Sequence, residues 1–388
     1  MSLRRAAVAA SLALAPASFG CVTGLPPAAG AAAAAPTAAT TATTTAPGTV
    51  RGIQMLPSSQ RPAGAGFAAR VTYTSTGVGG ESTVVGGLVY VPSGQAPAGG
   101  WPVLSWAHGT TGLGDSCAPS ANPVPAGMSS YLSTWLQAGY AVVATDYAGL
   151  GGPGVHPYLD GEIEARGVVD IVRAARKLSP KLFGTRWAVA GHSQGGHAAL
   201  FTGHIAPDYA PELDFRGTVA LAPPSNLTPM ISSLNPDITV APQLVPLLAY
   251  IFAGLQAANP EFDMGSYLSP LGAEVVTDAE TLCNAALWQR TQGIDIGELL
   301  SRPLDDAFAE VMSATFDVPT SGYDDPLFIA QGVDDQTVAK FTTDQLVDDL
   351  TAAAQPVTYT TYPSVGHSDV LTASAQDALT FLAPLMTP

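Results

Sequence analysis

The sequence predicts an α/β fold, a mostly parallel central sheet flanked by helices, with a helical cap inserted after its middle. Three observations carry that expectation. Short apolar runs alternate with amphipathic stretches in both halves of the chain, as they do when strands buried on both faces are joined by helices. The alternation lapses between residues 223 and 322, where helical-looking pieces are broken by prolines and glycines, and then resumes. The chain has 388 residues, of which 47% are hydrophobic and only 12% charged, enough to bury a large core.

At the N-terminus, Arg4 and Arg5 precede a mostly apolar run, residues 6–17, too short to span a bilayer. Residues 1–27 are therefore expected to be an export signal. Residues 28–50 are mostly Ala, Thr, Pro and Gly, with no periodic apolar face, and read as a linker. The α/β core is expected at 51–222 and 323–388, with 223–322 forming the cap, or lid. Strands at 70–76 and 83–91 flank a turn containing Gly77, Gly79 and Gly80 and predict a hairpin. A strand at 102–106 ends in His108-Gly109-Thr110-Thr111-Gly112; a helix at 128–138 stops at Gly139, and 140–146 is a buried strand. Residues 163–178 form a helix with Ile163, Val168, Ile171, Val172 and Ala175 near one face and Arg166, Asp170, Arg173 and Lys177 off it. Strands follow at 187–190 and 218–222. The insertion offers helical pieces at 241–258, 278–290 and 304–314. Beyond it come a strand at 326–331, a helix at 340–353, a strand at 357–362 and a helix at 374–385.

Charge and cysteines bound the function. With 15 Lys+Arg against 31 Asp+Glu the net charge is −16, and removing the two signal arginines gives 13 − 31 = −18. No basic segment tracks along the chain, so nucleic acid is a poor candidate partner and none is expected. Cys21 ends the signal, leaving Cys117 and Cys283 as a disulfide candidate in an oxidising compartment, against the alternative of two unpaired thiols. Secretion is the expectation. A lipid anchor on Cys21 is the alternative, although Ser18-Phe19-Gly20 lacks the aliphatic residue expected three positions before a lipoprotein cysteine.

The chemistry centres on Gly191-His192-Ser193-Gln194-Gly195, a nucleophile elbow set between a strand and a helix. Side chains at the two glycines would clash as the chain doubles back and exposes the serine. A serine needs a base held by a third group, and in the α/β-hydrolase fold the order is Ser, acid, His. His367 directly follows the final strand, whereas the other five histidines lie at or before position 204. The acid is expected after the preceding strand, where the Gly-x-x-Asp-x-x-Val spacing of Gly332 and Val338 selects Asp335 over the neighbouring Asp334. An oxyanion needs two backbone donors: the N–H of Gln194, at the helix N-terminus, and that of Thr110 in the His108 loop, with Thr111 as its alternative. His192 and His197 are expected to pack or hydrogen-bond, and no metal-site spacing is present. Gly149-Leu150-Gly151-Gly152 lacks the rest of a nucleotide-binding fingerprint. The apolar stretch 244–255 reads as core packing, with an acyl-binding lid as the alternative.

Several motifs together resemble the secretory lipase family, which includes the yeast lipase A type and exported actinobacterial members. They are Trp106-Ala107-His108-Gly109-Thr110-Thr111-Gly112, Cys117-Ala118-Pro119-Ser120, Thr145-Asp146-Tyr147-Ala148-Gly149-Leu150-Gly151 with His156-Pro157-Tyr158-Leu159, and the elbow itself. The resemblance implies an α/β-hydrolase core with a helical lid, acyl-ester hydrolysis including acylglycerols, and a triad of Ser193, Asp335 and His367. It departs at Thr110-Thr111, where the yeast type carries an acidic residue. The expected activity is that of an exported serine lipase or carboxylesterase, requiring no cofactor or metal, with an ester or lipid substrate and interfacial contact with lipid aggregates. An acyltransferase or peptidase on the same fold is the alternative within enzymes, and a cell-envelope binding protein the alternative outside them. The natural ester, acyl length and oligomeric state stay open.

Overall fold

A computed structural model describes residues 45–387. The signal, Cys21 and the linker up to residue 44 lie outside the described residues. The strands are β1 (Val50–Met55), β2 (Ala65–Thr76), β3 (Ser82–Pro92), β4 (Trp101–Ala107), β5 (Ala141–Thr145), β6 (Phe183–His192), β7 (Asp214–Leu221), β8 (Leu327–Gly332) and β9 (Val357–Tyr362). They form one sheet in the order β1-β2-β3-β5-β4-β6-β7-β8-β9. The first three strands run antiparallel to their neighbours, and β5, β4, β6, β7, β8 and β9 are mutually parallel.

Strand periodicity separates the two cores. Val103 and Ala107 of β4 and Trp187 and Val189 of β6 pack on one face, against α2 (Gly161–Leu178) and α3 (Gln194–Tyr209). Leu104 and Trp106, with Ala188 and Ala190, pack on the other, against α1 (Ala126–Gln137) and the C-terminal helix α11 (Val370–Met386). Between β7 and β8 the chain leaves the sheet for α4 (Thr228–Ile231), α5 (Val245–Ala258), α6 (Pro270–Ala279), α7 (Asn284–Arg290), α8 (Ile296–Leu299) and α9 (Asp306–Phe316). These helices build an apolar core of their own around Phe252, Phe308 and Met312, to which Leu113, Tyr158 and Leu159 of the sheet domain contribute. Helix α10 (Lys340–Ala352) follows β8.

Three differences from the sequence reading have physical causes. Residues 48–50 do not continue the linker: the Gly48 N–H donates to Thr74 O (2.7 Å), and Val50 opens β1. This edge strand contains Gly52 and leaves most of its side chains exposed, so it carries no apolar signature. Asp170, placed off the buried face of α2, is fully buried, because α2 is covered by the sheet on one side and by α3 on the other. It accepts hydrogen bonds from Ser75 Oγ (2.7 Å), Tyr209 OH (3.0 Å) and Arg173 (2.9 Å). Residues 278–290 are not one helix; α6 ends at Ala279 and α7 starts after Cys283, the residue bonded to Cys117.

The parallel strands all point their C-terminal ends at one edge of the sheet. That edge is where α/β folds place their ligands. It gathers the loops after β4, β5, β6, β8 and β9, and with them every residue singled out for chemistry.

Candidate active site

Ser193 caps the N-terminus of α3 with φ +57° and ψ −123°, a strained conformation for a non-glycine residue. The strand–helix reversal around it explains both glycines. A Cβ on Gly191 would collide with the Gly195 carbonyl oxygen, and one on Gly195 with the Ala107 carbonyl oxygen. The Ser193 N–H donates to Leu221 O (2.9 Å), tying the elbow to the end of β7.

Asp335 and His367 lie together on the loops after β8 and β9. His367 Nδ1–H donates to Asp335 Oδ2 over 2.7 Å. The other carboxylate oxygen accepts the N–H groups of Thr337 (2.8 Å) and Val338 (2.9 Å), and Oδ2 also accepts from Gln331 Nε2 (3.0 Å). Burial pushes the Asp335 carboxyl up, but the bond from His367 and these backbone donors more than offset it and hold it below the usual range. Asp334, by contrast, is exposed and bonds through its backbone to Val365.

His367 is set beside the elbow by His192. The His192 Nε2–H donates to the His367 carbonyl (2.8 Å), and the two rings lie 4.7 Å apart. Burial lowers His192 to about 4, so it stays neutral in this bond. Among the described residues no hydrogen bond joins Ser193 Oγ to the His367 ring; such bonds are often long in free enzymes and tighten on substrate.

Gln194 is the first residue of α3, so its N–H has no intrahelical acceptor. Its buried side chain holds it in place. Gln194 Nε2 donates to Glu164 Oε1 (2.7 Å) and to His156 Nε2 (2.8 Å), while His156 Nδ1–H donates to Ala148 O (2.8 Å). Glu164 is fully buried and also accepts the Leu159 N–H (3.0 Å). This network was not legible in the sequence as a site. Its one signal is a glutamate beside Ile163 and four positions before Val168, on the buried stripe of α2.

Across the elbow stands the loop after β4. A Cβ on Gly109 would sit 3.6 Å from Ser193 Cβ, so the loop abuts the serine. His108 donates from Nδ1 to Gly109 O (2.7 Å), and burial lowers it to about 4. Thr110 Oγ1 is 2.7 Å from Tyr158 OH. The far end of the loop is joined to the insertion: Gly112 bridges Cys283, the Asn284 N–H donates to Thr111 O (3.0 Å), and Cys117 and Cys283 form a disulfide across 166 residues.

Ser193 opens into a cavity of about 170 Å³ whose lining is almost wholly apolar. Leu227, Ile231, Leu248 and Ile251 of the insertion form one wall, and Tyr158 and Val338 of the sheet domain face them.

A sheet of this order, with a serine at a glycine-flanked strand–helix turn, defines an α/β hydrolase. The profile of the secretory lipase family matches residues 127–384, and the chain belongs to that family. It is 29% identical over 243 residues to a protein of Mycobacterium tuberculosis named a probable inactive lipase, an alignment covering 59% of this chain and 51% of that one. It is 28% identical over 158 residues to a secreted triacylglycerol lipase of Malassezia globosa, covering 38% and 32%. The chain thus spans about half, or less, of the length of the curated relatives it matches. Among solved structures it is similar to Candida antarctica lipase A (TM-score 0.76, 20% identity, covering 89% of this chain and 84% of that one). It is also similar to the rice cell wall degrading esterase LipA of Xanthomonas oryzae (TM-score 0.70, 19% identity, 88% and 99% covered). At these identities the structural likeness establishes the fold.

Proposed function

We propose that the protein is a secreted serine ester hydrolase, a lipase or carboxylesterase acting through an acyl-enzyme on Ser193. The observation that carries this reading is the His367–Asp335 hydrogen bond of 2.7 Å beside a serine strained at the mouth of an apolar cavity. His367 Nε2 takes the Ser193 proton as Oγ attacks the ester carbonyl, and Asp335 fixes the ring and stabilises the imidazolium. The N–H groups of Gln194 and Thr110 receive the oxyanion. The leaving alcohol takes the proton from His367, and water then releases the acid by the same route, so the chemistry requires no cofactor.

Residues 223–322 act as the lid in this reading, and the apolar cavity takes the acyl chain. Met230, 44% exposed at the cavity, offers an apolar edge to lipid aggregates. The family and the fungal relative's name support secretion and an acylglycerol substrate. Among the described residues no helix is long and apolar enough to cross a membrane. This chain carries Ser193, Asp335 and His367 in the chain order that the chemistry needs.

Hydrolysis of p-nitrophenyl esters from short to long acyl chains, with wild type and Ser193→Ala, tests the reading. Wild type is expected to turn over medium to long chains, and Ser193→Ala to lose at least about 10⁴-fold in kcat. Equal rates in the two proteins would refute it.

A further inference from the structure

We infer that Thr110 contributes its side-chain hydroxyl, besides its backbone N–H, to stabilising the oxyanion, and that the Tyr158 phenol holds that hydroxyl in its donating orientation. This rests on the ester-hydrolase reading above.

Thr110 Oγ1 and Tyr158 OH are joined by a hydrogen bond of 2.7 Å. Either oxygen can donate in principle. A phenol is the stronger acid and an aliphatic alcohol the better acceptor, so Tyr158 donates and Thr110 accepts. Tyr158 is buried, and its hydroxyl has no other partner among the described residues. Were Thr110 the donor, the phenolic proton would be stranded in an apolar wall, at a cost of about 1–3 kcal/mol. Burial also pushes the phenol above its usual range, so it keeps its proton wherever the enzyme works.

The Thr110 proton is then left without a protein acceptor among the described residues. Its surroundings supply a candidate. The preceding residue abuts Ser193, and Tyr158 lines the same cavity as Ser193. An oxygen of the bound ester is the acceptor that the reaction brings there. When Ser193 Oγ bonds to the carbonyl carbon, its proton passes to His367 Nε2 and the carbonyl π pair moves onto oxygen. That anion accepts from the Gln194 N–H, the Thr110 N–H and the Thr110 O–H. On collapse the pair returns to the C–O bond, the leaving alkoxide departs with the proton from His367, and Thr110 and Tyr158 end with the protons they began with.

Tyr158 is a positioning residue in this scheme, and its own place is set by the insertion. Gly254 of α5 lies so close that a Cβ there would meet the Tyr158 carbonyl oxygen at 2.5 Å, and the Tyr250 ring is 5.9 Å away. The lid helix thereby braces an oxyanion donor.

The test measures kcat and KM with one p-nitrophenyl ester, and inhibition by an alkyl boronic acid that mimics the tetrahedral oxyanion, with thermal melts as a fold control. Thr110→Val is expected to lower kcat about 100-fold with KM within about threefold, to weaken the boronate by a similar factor, and Thr110→Ser to recover most of the loss. Tyr158→Phe is expected to cost about three- to tenfold, the worth of one neutral hydrogen bond. In the Thr110→Val background it should cost nothing further, because Tyr158 acts through that hydroxyl. A folded Thr110→Val enzyme within about threefold of wild type, a Thr110→Ser enzyme as slow as Thr110→Val, or a larger loss in Tyr158→Phe than in Thr110→Val would each overturn the inference. Equal rates in wild type and Ser193→Ala would instead overturn the hydrolase reading, and this inference with it.

Discussion

If Asp335 orients His367 as proposed, replacing it by asparagine should lower kcat by about 10⁴. Two backbone N–H groups, from Thr337 and Val338, point at Oδ1 over 2.8 and 2.9 Å, so that position requires an oxygen. The asparagine amide nitrogen must then occupy the Oδ2 position. There it faces two further donors, His367 Nδ1 at 2.7 Å and Gln331 Nε2 at 3.0 Å. Gln331 cannot turn round, because its Oε1 accepts from Thr343 Oγ1 (2.9 Å) and its Nε2 also donates to Val338 O (3.1 Å). His367 relieves the conflict by moving its proton from Nδ1 to Nε2. The nitrogen that must accept the Ser193 proton is then already protonated. Four decades in rate correspond to about 5 kcal/mol of lost transition-state stabilisation. The assay is steady-state hydrolysis of p-nitrophenyl butyrate by Asp335→Asn and Asp334→Asn, both checked by thermal melts. Asp334 is exposed, and its replacement should stay within about twofold of wild type. An Asp335→Asn enzyme above about a tenth of wild-type kcat, or an equal loss in Asp334→Asn, would refute the reasoning.

Three further outcomes follow from the packing and the charges. Gly195→Ala drives a methyl into the Ala107 carbonyl oxygen, a backbone atom that cannot swing aside, and should cost about 3 kcal/mol or more together with the activity; a melt and kcat near wild type would contradict this. Burial raises Asp146 from 3.8 to about 6, against the Ser120 N–H that donates to it over 2.8 Å. Because the folded-state value is raised, its stabilising contribution is complete below the unfolded value and is lost as pH rises through about 6. Urea melts should therefore show wild type losing about 2 kcal/mol relative to Asp146→Asn between pH 4 and pH 7, and a pH-independent difference between the two would contradict the assignment. The Cys117–Cys283 bond closes 166 residues, so the double alanine variant should lose roughly 5 kcal/mol in the chain-entropy model, together with activity as the 108–112 loop loosens; an unchanged melt would count against that role.

Much of the sheet was legible because its parallel strands are buried on both faces and read as unbroken apolar runs, such as 140–146. The elbow was legible for a steric reason, since only glycine fits at 191 and 195. Chain order pointed to His367, and chain order with the Gly332-to-Val338 spacing to Asp335; in the structure these two side chains are hydrogen-bonded to each other. Edge strand β1 escaped because a strand with solvent on most of its side chains has no pattern to read. The Glu164–Gln194–His156 network and the Thr110–Tyr158 bond escaped for a different reason. Gln194 lies 30 and 38 residues from its two partners and Thr110 48 from Tyr158, and nothing in a polar residue's own neighbourhood states which distant partner will satisfy it. The apolar stretch at 244–255 was ambiguous between core and substrate wall. In the structure Phe252 and Leu255 pack inside the insertion, while Leu248 and Ile251 line the cavity that Ser193 also lines.

The proposed mechanism stands or falls on Ser193 being a nucleophile activated by His367. Reaction with an alkyl fluorophosphonate followed by peptide mapping tests it without any assumption about the natural ester. A single phosphonyl adduct is expected on Ser193 in wild type, with much slower labelling in His367→Ala and none in Ser193→Ala. An adduct on another residue, or undiminished labelling of Ser193→Ala, would contradict it.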